Sequence, residues 1–148
     1  MERTFILVKP DGVQRQLVGE IIRRFENKGL KLAALKLLKV GQDRANRHYA
    51  VHQGKPFFGE LISFITSGPS VAMVWEGRDA VALSRVLIGA TKPLESTPGS
   101  IRGDYAIFTG QNLVHGSDGV DTAKAEIENF FSAEELVNYE LAAAKWIG

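Results

Sequence analysis

The chain has 148 residues, a formal net charge of +1, 45% hydrophobic and 24% charged residues, and no cysteine. That length suits one ordinary domain, residues 1–148, able to bury a core without metals or disulfides, and the balance excludes disordered, collagen-like and coiled-coil chains. Near-neutral charge argues against holding nucleic acid through a basic face, no apolar run could span a bilayer, and the lack of cysteine fits a reducing, cytoplasmic setting without a thiolate nucleophile. Met1-Glu2-Arg3-Thr4, acidic early and followed by a short apolar run, is not expected to be a signal peptide.

Phe5 to Val8 reads as a buried strand stopped by Pro10-Asp11-Gly12. Val18, Ile21, Ile22 and Phe25 fall at helical spacing, with Gly29 where a helix C′ glycine belongs. Leu30 to Val40 has helical propensity, yet Ala33, Leu35 and Leu37 alternate; the short link after Gly29 favours a strand. Asp43 is expected to cap a short helix through Tyr49, and Phe58, Leu61, Ile62 and Ile65 form a helical stripe ended by Ser67-Gly68-Pro69. Val71 to Trp75 is the clearest strand, and Asp79 is expected to cap a helix closing at Gly89. Ala90 to Asp104 reads as a long loop. Leu113-Val114-His115 ends a short strand, a helix follows around Thr122 to Phe131, and Ser132 with Glu135 forms a capping box for a final helix. The order predicts an α+β sandwich of the ferredoxin-like, split βαβ kind: a four-stranded antiparallel sheet covered by helices.

Common phosphate-loop, dinucleotide, zinc-protease and hydrolase motifs are absent. His48 and His52, four apart, could face zinc together, but no third ligand is evident and two surface histidines is the better reading. His115 is different, because two apolar residues deliver it to a turn of small, polar residues in Asn112-Leu113-Val114-His115-Gly116-Ser117-Asp118. An imidazole there can attack phosphorus and carry the phosphoryl group covalently, given a partner on its other nitrogen to fix the tautomer. Glu126 and Glu128 on the next helix are both candidates for that partner.

The segment Asn112 to Asp118 resembles the N-x-x-H-G-S-D active-site signature of nucleoside diphosphate kinases. Further resemblance runs along the whole chain: Arg3, Lys9-Pro10-Asp11-Gly12, Pro56-Phe57-Phe58, Ser67-Gly68-Pro69, Val74-Trp75-Glu76-Gly77 and Pro98-Gly99-Ser100-Ile101-Arg102-Gly103-Asp104. Several ordered motifs are far more specific than one. The resemblance implies a phosphotransferase that moves the γ-phosphoryl group of a nucleoside triphosphate to a nucleoside diphosphate by a ping-pong mechanism. It implies that His115 is phosphorylated, that Glu126 orients it and that Ser117 hydrogen-bonds nearby. Lys9 and Asn112 match sugar-hydroxyl ligands, and Tyr49 lies beside the histidine. Arg85, Thr91 and Arg102 match phosphate ligands, His52 falls where some members place a phosphate contact, and Phe57 matches the base-stacking aromatic with Leu61 beside it.

Three cations from distant segments suit a polyphosphate, since arginine offers phosphate a planar fork of donors. No carboxylate cluster suggests a metal cage, so Mg²⁺ is expected to arrive on the nucleotide's phosphates. A stacking face without paired polar readers implies broad base use, and contacts to hydroxyls common to ribose and deoxyribose imply use of both sugars. An RNA-binding sheet would need exposed strand aromatics that Ile6-Leu7-Val8 and Val71-Ala72-Met73 lack. A regulatory ligand-binding module without chemistry is disfavoured by the Asn112-to-Asp118 segment and the long loop. The Pro- and Gly-rich segment, whose main apolar residues are Leu94 and Ile101, and the Trp146-Ile147 pair point to subunit contacts. A hexamer is expected, with a tetramer as the alternative because the chain closes at Gly148 where many members continue.

Overall fold

The structure is a computed structural model that describes residues 1–148. Four strands, β1 (Glu2–Val8), β2 (Lys31–Lys39), β3 (Pro69–Gly77) and β4 (Val114–Gly116), form one sheet in the order β2-β3-β1-β4. Every neighbouring pair is antiparallel, which is the expected ferredoxin-like arrangement. Because side chains alternate along a strand, β1 feeds two cores. Phe5 and Leu7 join a cluster with Ala45, Ile62, Ile65, Ile127 and Phe130, under helices α3 (Gln42–His48), α4 (Phe58–Ile65) and α7 (Val120–Phe130). Ile6 and Val8 join Ile21, Phe25, Trp75 and Ile88, under α2 (Val18–Lys28) and α5 (Ala80–Ile88). The sheet is therefore covered on both faces, and β1 and β3 read as unbroken apolar runs because neither face meets water.

Most expected elements are present, and the departures have physical causes. The ambiguous Leu30-to-Val40 segment is the edge strand β2. Gly41 precedes α3, and Asp43 lies in its first turn, where a carboxylate suits the helix dipole without capping. Asp79 precedes α5 but makes no side-chain cap and sits in the left-handed region at φ 52°. The cap comes from across the sheet: Glu2 Oε1 accepts the Val81 N–H at 2.8 Å. Ala90 to Asp104 is not a bare loop. It holds a 3₁₀ turn at Pro93–Glu95, and the short helix α6 (Ile101–Tyr105) begins within it, with Ser100 accepting the Gly103 N–H. The Ser132–Glu135 capping box forms, but it opens a single 3₁₀ turn, Ala133–Glu135, and not a long helix. Beyond it the Val137 N–H donates to the Ala33 carbonyl at 2.9 Å, where the β2–β3 register shifts between Leu32 and Ala34. Repair of that irregular edge draws the chain out of helical geometry. The remaining helices are α1 (Pro10–Gln14), just after β1, and α8 (Ala144–Ile147), near the end of the chain.

Candidate active site

His115 sits in β4 opposite Leu7 of β1, and cross-strand partners share a face. Its ring therefore emerges on the side covered by α3 and α7. A Cβ on Gly116 would meet Ile88 Cδ1 at 2.5 Å, so this glycine lets α5 close on the strand. The turn feeding β4 is held just as tightly. Leu113 takes φ +74°, an uncommon conformation for leucine, and donates its N–H to Asp11 Oδ2 at 3.0 Å. Its carbonyl accepts the Lys9 N–H at 2.9 Å, and a Cβ on Gly12 would stand 2.9 Å from that same carbonyl oxygen. Lys9-Pro10-Asp11-Gly12 thus clamps the backbone that delivers His115.

Glu126 reaches His115 from α7, with Oε2 2.7 Å from His115 Nε2. Its other oxygen accepts the Ser117 hydroxyl at 2.6 Å, and Ser117 Oγ accepts the Phe5 N–H at 3.2 Å. This chain ties the carboxylate to the central strand. Burial pushes the Glu126 carboxyl up, but the hydrogen bond and electrostatic attraction of His115, then the Ser117 hydroxyl, outweigh it and hold the group below the ordinary carboxylate range. Glu128, the other candidate, is exposed on the wall of the same cleft, and the carboxylate hydrogen-bonded to His115 is that of Glu126.

A cleft of about 810 Å³ opens over His115, and Tyr49, His52, Arg85, Thr91 and Glu126 also line it. Arg85 projects from α5 and donates to the Gly116 carbonyl at 3.1 Å. Beside the cleft, Lys9 Nζ donates to Asn112 Oδ1 at 2.5 Å, and Asn112 Nδ2 donates to the Thr91 carbonyl at 3.1 Å. Burial lowers the Lys9 ammonium to about 8, and the Arg102 charge adds to the fall. Arg102 is buried and donates to the carbonyls of Asn112, Gly89 and Val114, so most of its fork holds backbone. Burial, then the charge of Arg85, brings it to about 10. Tyr49 is pushed up to about 12 by burial and the Glu126 charge. Phe57 and Leu61 stand apart from this lining: Phe57 precedes α4, half exposed, with its ring 5.2 Å from that of His52.

Three residues escaped the sequence reading. His48 is not a surface histidine; its side chain is 1% exposed, edge-on to His115 with ring centroids 4.6 Å apart. Burial and the neighbouring His115 lower it to about 3, so it is neutral at pH 7. Its position three after buried Ala45 and one before Tyr49 was the available signal for an inward face. Asp11 had no assigned role, and its bond to Leu113 spans 102 residues. Glu2 likewise caps α5, the helix that carries Arg85, from a distance. A second cleft, about 590 Å³, lies between Leu30, Leu83, Tyr139 and Ile147, where Ile147 packs on Gly29. Its Glu76 is paired with Arg3 and Lys31.

The family model for nucleoside diphosphate kinase matches residues 2–136. A nucleoside diphosphate kinase of Bacillus licheniformis is 58% identical over 147 residues, 99% of each chain. Among solved structures, a nucleoside diphosphate kinase family protein from Babesia bovis superposes with a TM-score of 0.98 at 47% identity, covering 100% of both chains. A halophilic nucleoside diphosphate kinase from Halobacterium salinarum, solved in complex with CDP, gives 0.97 at 51% identity over 99% of this chain and 98% of that one.

Proposed function

Because this chain belongs to the nucleoside diphosphate kinase family, whose members pass a phosphoryl group from a nucleoside triphosphate to a diphosphate through a phosphohistidine, we propose that His115 is the residue that carries it. The observation behind this reading is the 2.7 Å bond from His115 Nε2 to Glu126. It favours the tautomer with hydrogen on Nε2, which leaves the Nδ1 lone pair free. Nδ1 forms a bond to the γ-phosphorus as the bond from phosphorus to the β,γ-bridging oxygen breaks. The imidazolium charge that develops is met by the Glu126 carboxylate, and the diphosphate leaves. A second diphosphate then attacks the same phosphorus and releases neutral His115.

Positioning and charge neutralisation supply most of the rate in such a transfer. Arg85 and Thr91 line the cleft as phosphate ligands, and Arg102 keeps the donors its backbone duties leave free. Lys9 and Asn112 hold the sugar hydroxyls, and Tyr49, edge-on to His48, lines the same cleft as His115. Phe57 with Leu61 offers a stacking face tolerant of every base, and His52 stands next to it. A cleft that takes a nucleoside diphosphate is in keeping with the CDP complex of the Halobacterium relative.

Mg²⁺ is the usual partner of a nucleotide kinase. The one cluster of three ligating side chains here contains two imidazoles, a poor match for a hard cation. Mg²⁺ would therefore come with the substrate's phosphates, and Asp118 on the cleft wall is the nearby carboxylate that could help hold it. It would neutralise phosphate charge there.

The whole chain, 1–148, acts as one catalytic domain, in the cytoplasm where its substrates are made and used; no helix is long and apolar enough to cross a membrane. Leu94 is 96% exposed and Ile107 87% in the single subunit, while Ile101 of the same region is buried. Such apolar surface, with Trp146, supports a homo-oligomer; the preference for a hexamer before a tetramer rests on the family resemblance alone. Initial rates with two nucleotides varied test the mechanism. Parallel double-reciprocal lines are expected; intersecting lines would mean direct transfer and remove the covalent role of His115.

A further inference from the structure

His48 is the buried group that phosphoryl transfer leaves unused. Its ring lies among Phe5, Tyr49, Phe130 and His115. Neither ring nitrogen has a hydrogen-bond partner, although both are buried. An unmet buried polar group is costly, so one aimed at other donors points to a ligand. Nδ1 of His48 lies 3.6 Å from Glu126 Oε2, the oxygen that His115 Nε2 approaches to 2.7 Å. One donor atom from each of the three residues falls within 4.8 Å of the other two.

We propose that His48, His115 and Glu126 form a second-metal site, distinct from the nucleotide's Mg²⁺, which takes a borderline transition-metal dication such as Zn²⁺ in the nucleotide-free enzyme and blocks the phosphoryl acceptor. Two imidazoles and a carboxylate, with a fourth position open to water, is a set that holds zinc. Around a tetrahedral ion with bonds of about 2.0–2.1 Å, neighbouring ligand atoms stand about 3.4 Å apart. The His48–Glu126 spacing already matches to about 0.2 Å, and the His115–Glu126 spacing must open by about 0.7 Å. Ser117 holds the other carboxylate oxygen at 2.6 Å, so Glu126 stays oriented while Oε2 turns to the metal. The cleft, lined by all three residues, provides the entry path.

The ligand types also decide the selectivity. Imidazole suits Zn²⁺, Co²⁺ and Cu²⁺, whereas Mg²⁺ demands oxygen. Metal on Nε2 of the neutral His115 ring requires its single N–H on Nδ1, so the proton moves to the other ring nitrogen and none is lost to solvent. With the proton on Nδ1, that nitrogen has no lone pair left to attack phosphorus. Glu126, now a ligand, can no longer meet the charge that develops during transfer. The chain has only three histidines and no cysteine, so rival sites are few. His52 turns to Phe57 and Lys55 and does not join the cluster.

Binding stands on the geometry alone; the block rests on the role proposed for His115. Both are tested on the full-length, metal-free protein without nucleotide. Titration with Co²⁺ should give an intense visible band of a tetrahedral ion that saturates at one per subunit. Zn²⁺ should displace the Co²⁺ and bleach the band, and Zn²⁺-loaded enzyme should take up no label from Mg²⁺ and γ-labelled ATP until the zinc is removed on a chelating resin. His48→Gln should lose both the band and the zinc block. Should His48→Gln fail to fold, His115→Gln, at the partly exposed ligand, should lose the band as well. No one-per-subunit band in the wild type, or a band unchanged in either folded variant, overturns the site. Zinc bound at one per subunit with undiminished labelling overturns the block. Full nucleotide exchange by His115→Gln would instead refute the function proposed for His115 and leave the metal titration to be judged separately.

Discussion

The two ends proposed for the nucleotide site are built differently. At the phosphoryl end, His115, Glu126 and Ser117 form one hydrogen-bonded chain anchored on the backbone of Phe5 in the central strand. Leu113 is pinned by Asp11, and Arg102 ties down three carbonyls. At the base end, Phe57 is 43% exposed at the mouth of α4, and its neighbour His52 meets it only ring to ring. Groups that must be aligned to tenths of an ångström are fastened to the sheet, and groups that need only offer a surface are left on a helix start. A reaction that demands one geometry and accepts many bases calls for that asymmetry.

The contrast can be broken from either end. The largest effect belongs to His115→Gln: loss of exchange between ATP and a second diphosphate, with the melting temperature retained, because the side chain is partly exposed and supports no core. Glu126→Gln comes next. It keeps the shape but weakens the partner of Nε2–H, and kcat should fall by roughly 10–100-fold with little change in KM. An equal loss in Glu128→Gln would move the orienting role to the wrong carboxylate.

Between the two ends stands Lys9, whose ammonium is lowered to about 8 by burial and by the charge of Arg102. Below that pH it is charged and can donate to sugar and phosphate; above it the free enzyme loses the charge. The pH profile of kcat/KM should therefore break downward near pH 8, by about tenfold per further unit. In kcat the break should lie higher, because bound phosphates favour the ammonium. A profile of kcat/KM flat to pH 9.5 would exclude Lys9 as a charged ligand.

Phe57→Ala should have the smallest effect. Stacking is worth about 1–3 kcal/mol, and the exposure of this ring places it at the low end, roughly a fivefold rise in KM. The rise should be similar for purines and pyrimidines, with kcat unchanged. A purine-only effect would mean that the base end reads hydrogen bonds and is not the permissive half.

The same asymmetry explains what the sequence made legible. β1, β3 and α7 were readable because their apolar runs and spacing are local, and Gly29, at φ 106°, closes α2 as a C′ glycine does. β2 was readable through its short link to α2 and its alternation, since lysine, leucine and alanine favour a helix, although of the alternating residues Ala33 is buried and Leu35 and Leu37 are exposed. The cap of α5 was not legible, because its carboxylate belongs to Glu2, 79 residues away. The capping box at Ser132 marked a start but no length, and pairing of Val137 with the β2 edge overrode helical propensity. In the site, His115 was legible from the signature, whereas Glu126 was singled out from Glu128 only by the family resemblance. The inward turn of His48 and the clamp from Asp11 to Leu113 depend on packing between α3, α7 and β4 that no single segment encodes.

The central claim is that His115 carries the phosphoryl group, and mapping a trapped intermediate tests it most directly. The enzyme is incubated with Mg²⁺ and γ-labelled ATP without acceptor, then digested at alkaline pH. The account predicts one label per subunit, stable to alkali and labile to acid, on the peptide containing His115, and discharged on addition of a nucleoside diphosphate. A label that is stable to acid, lies on another peptide, or survives addition of the diphosphate would contradict it.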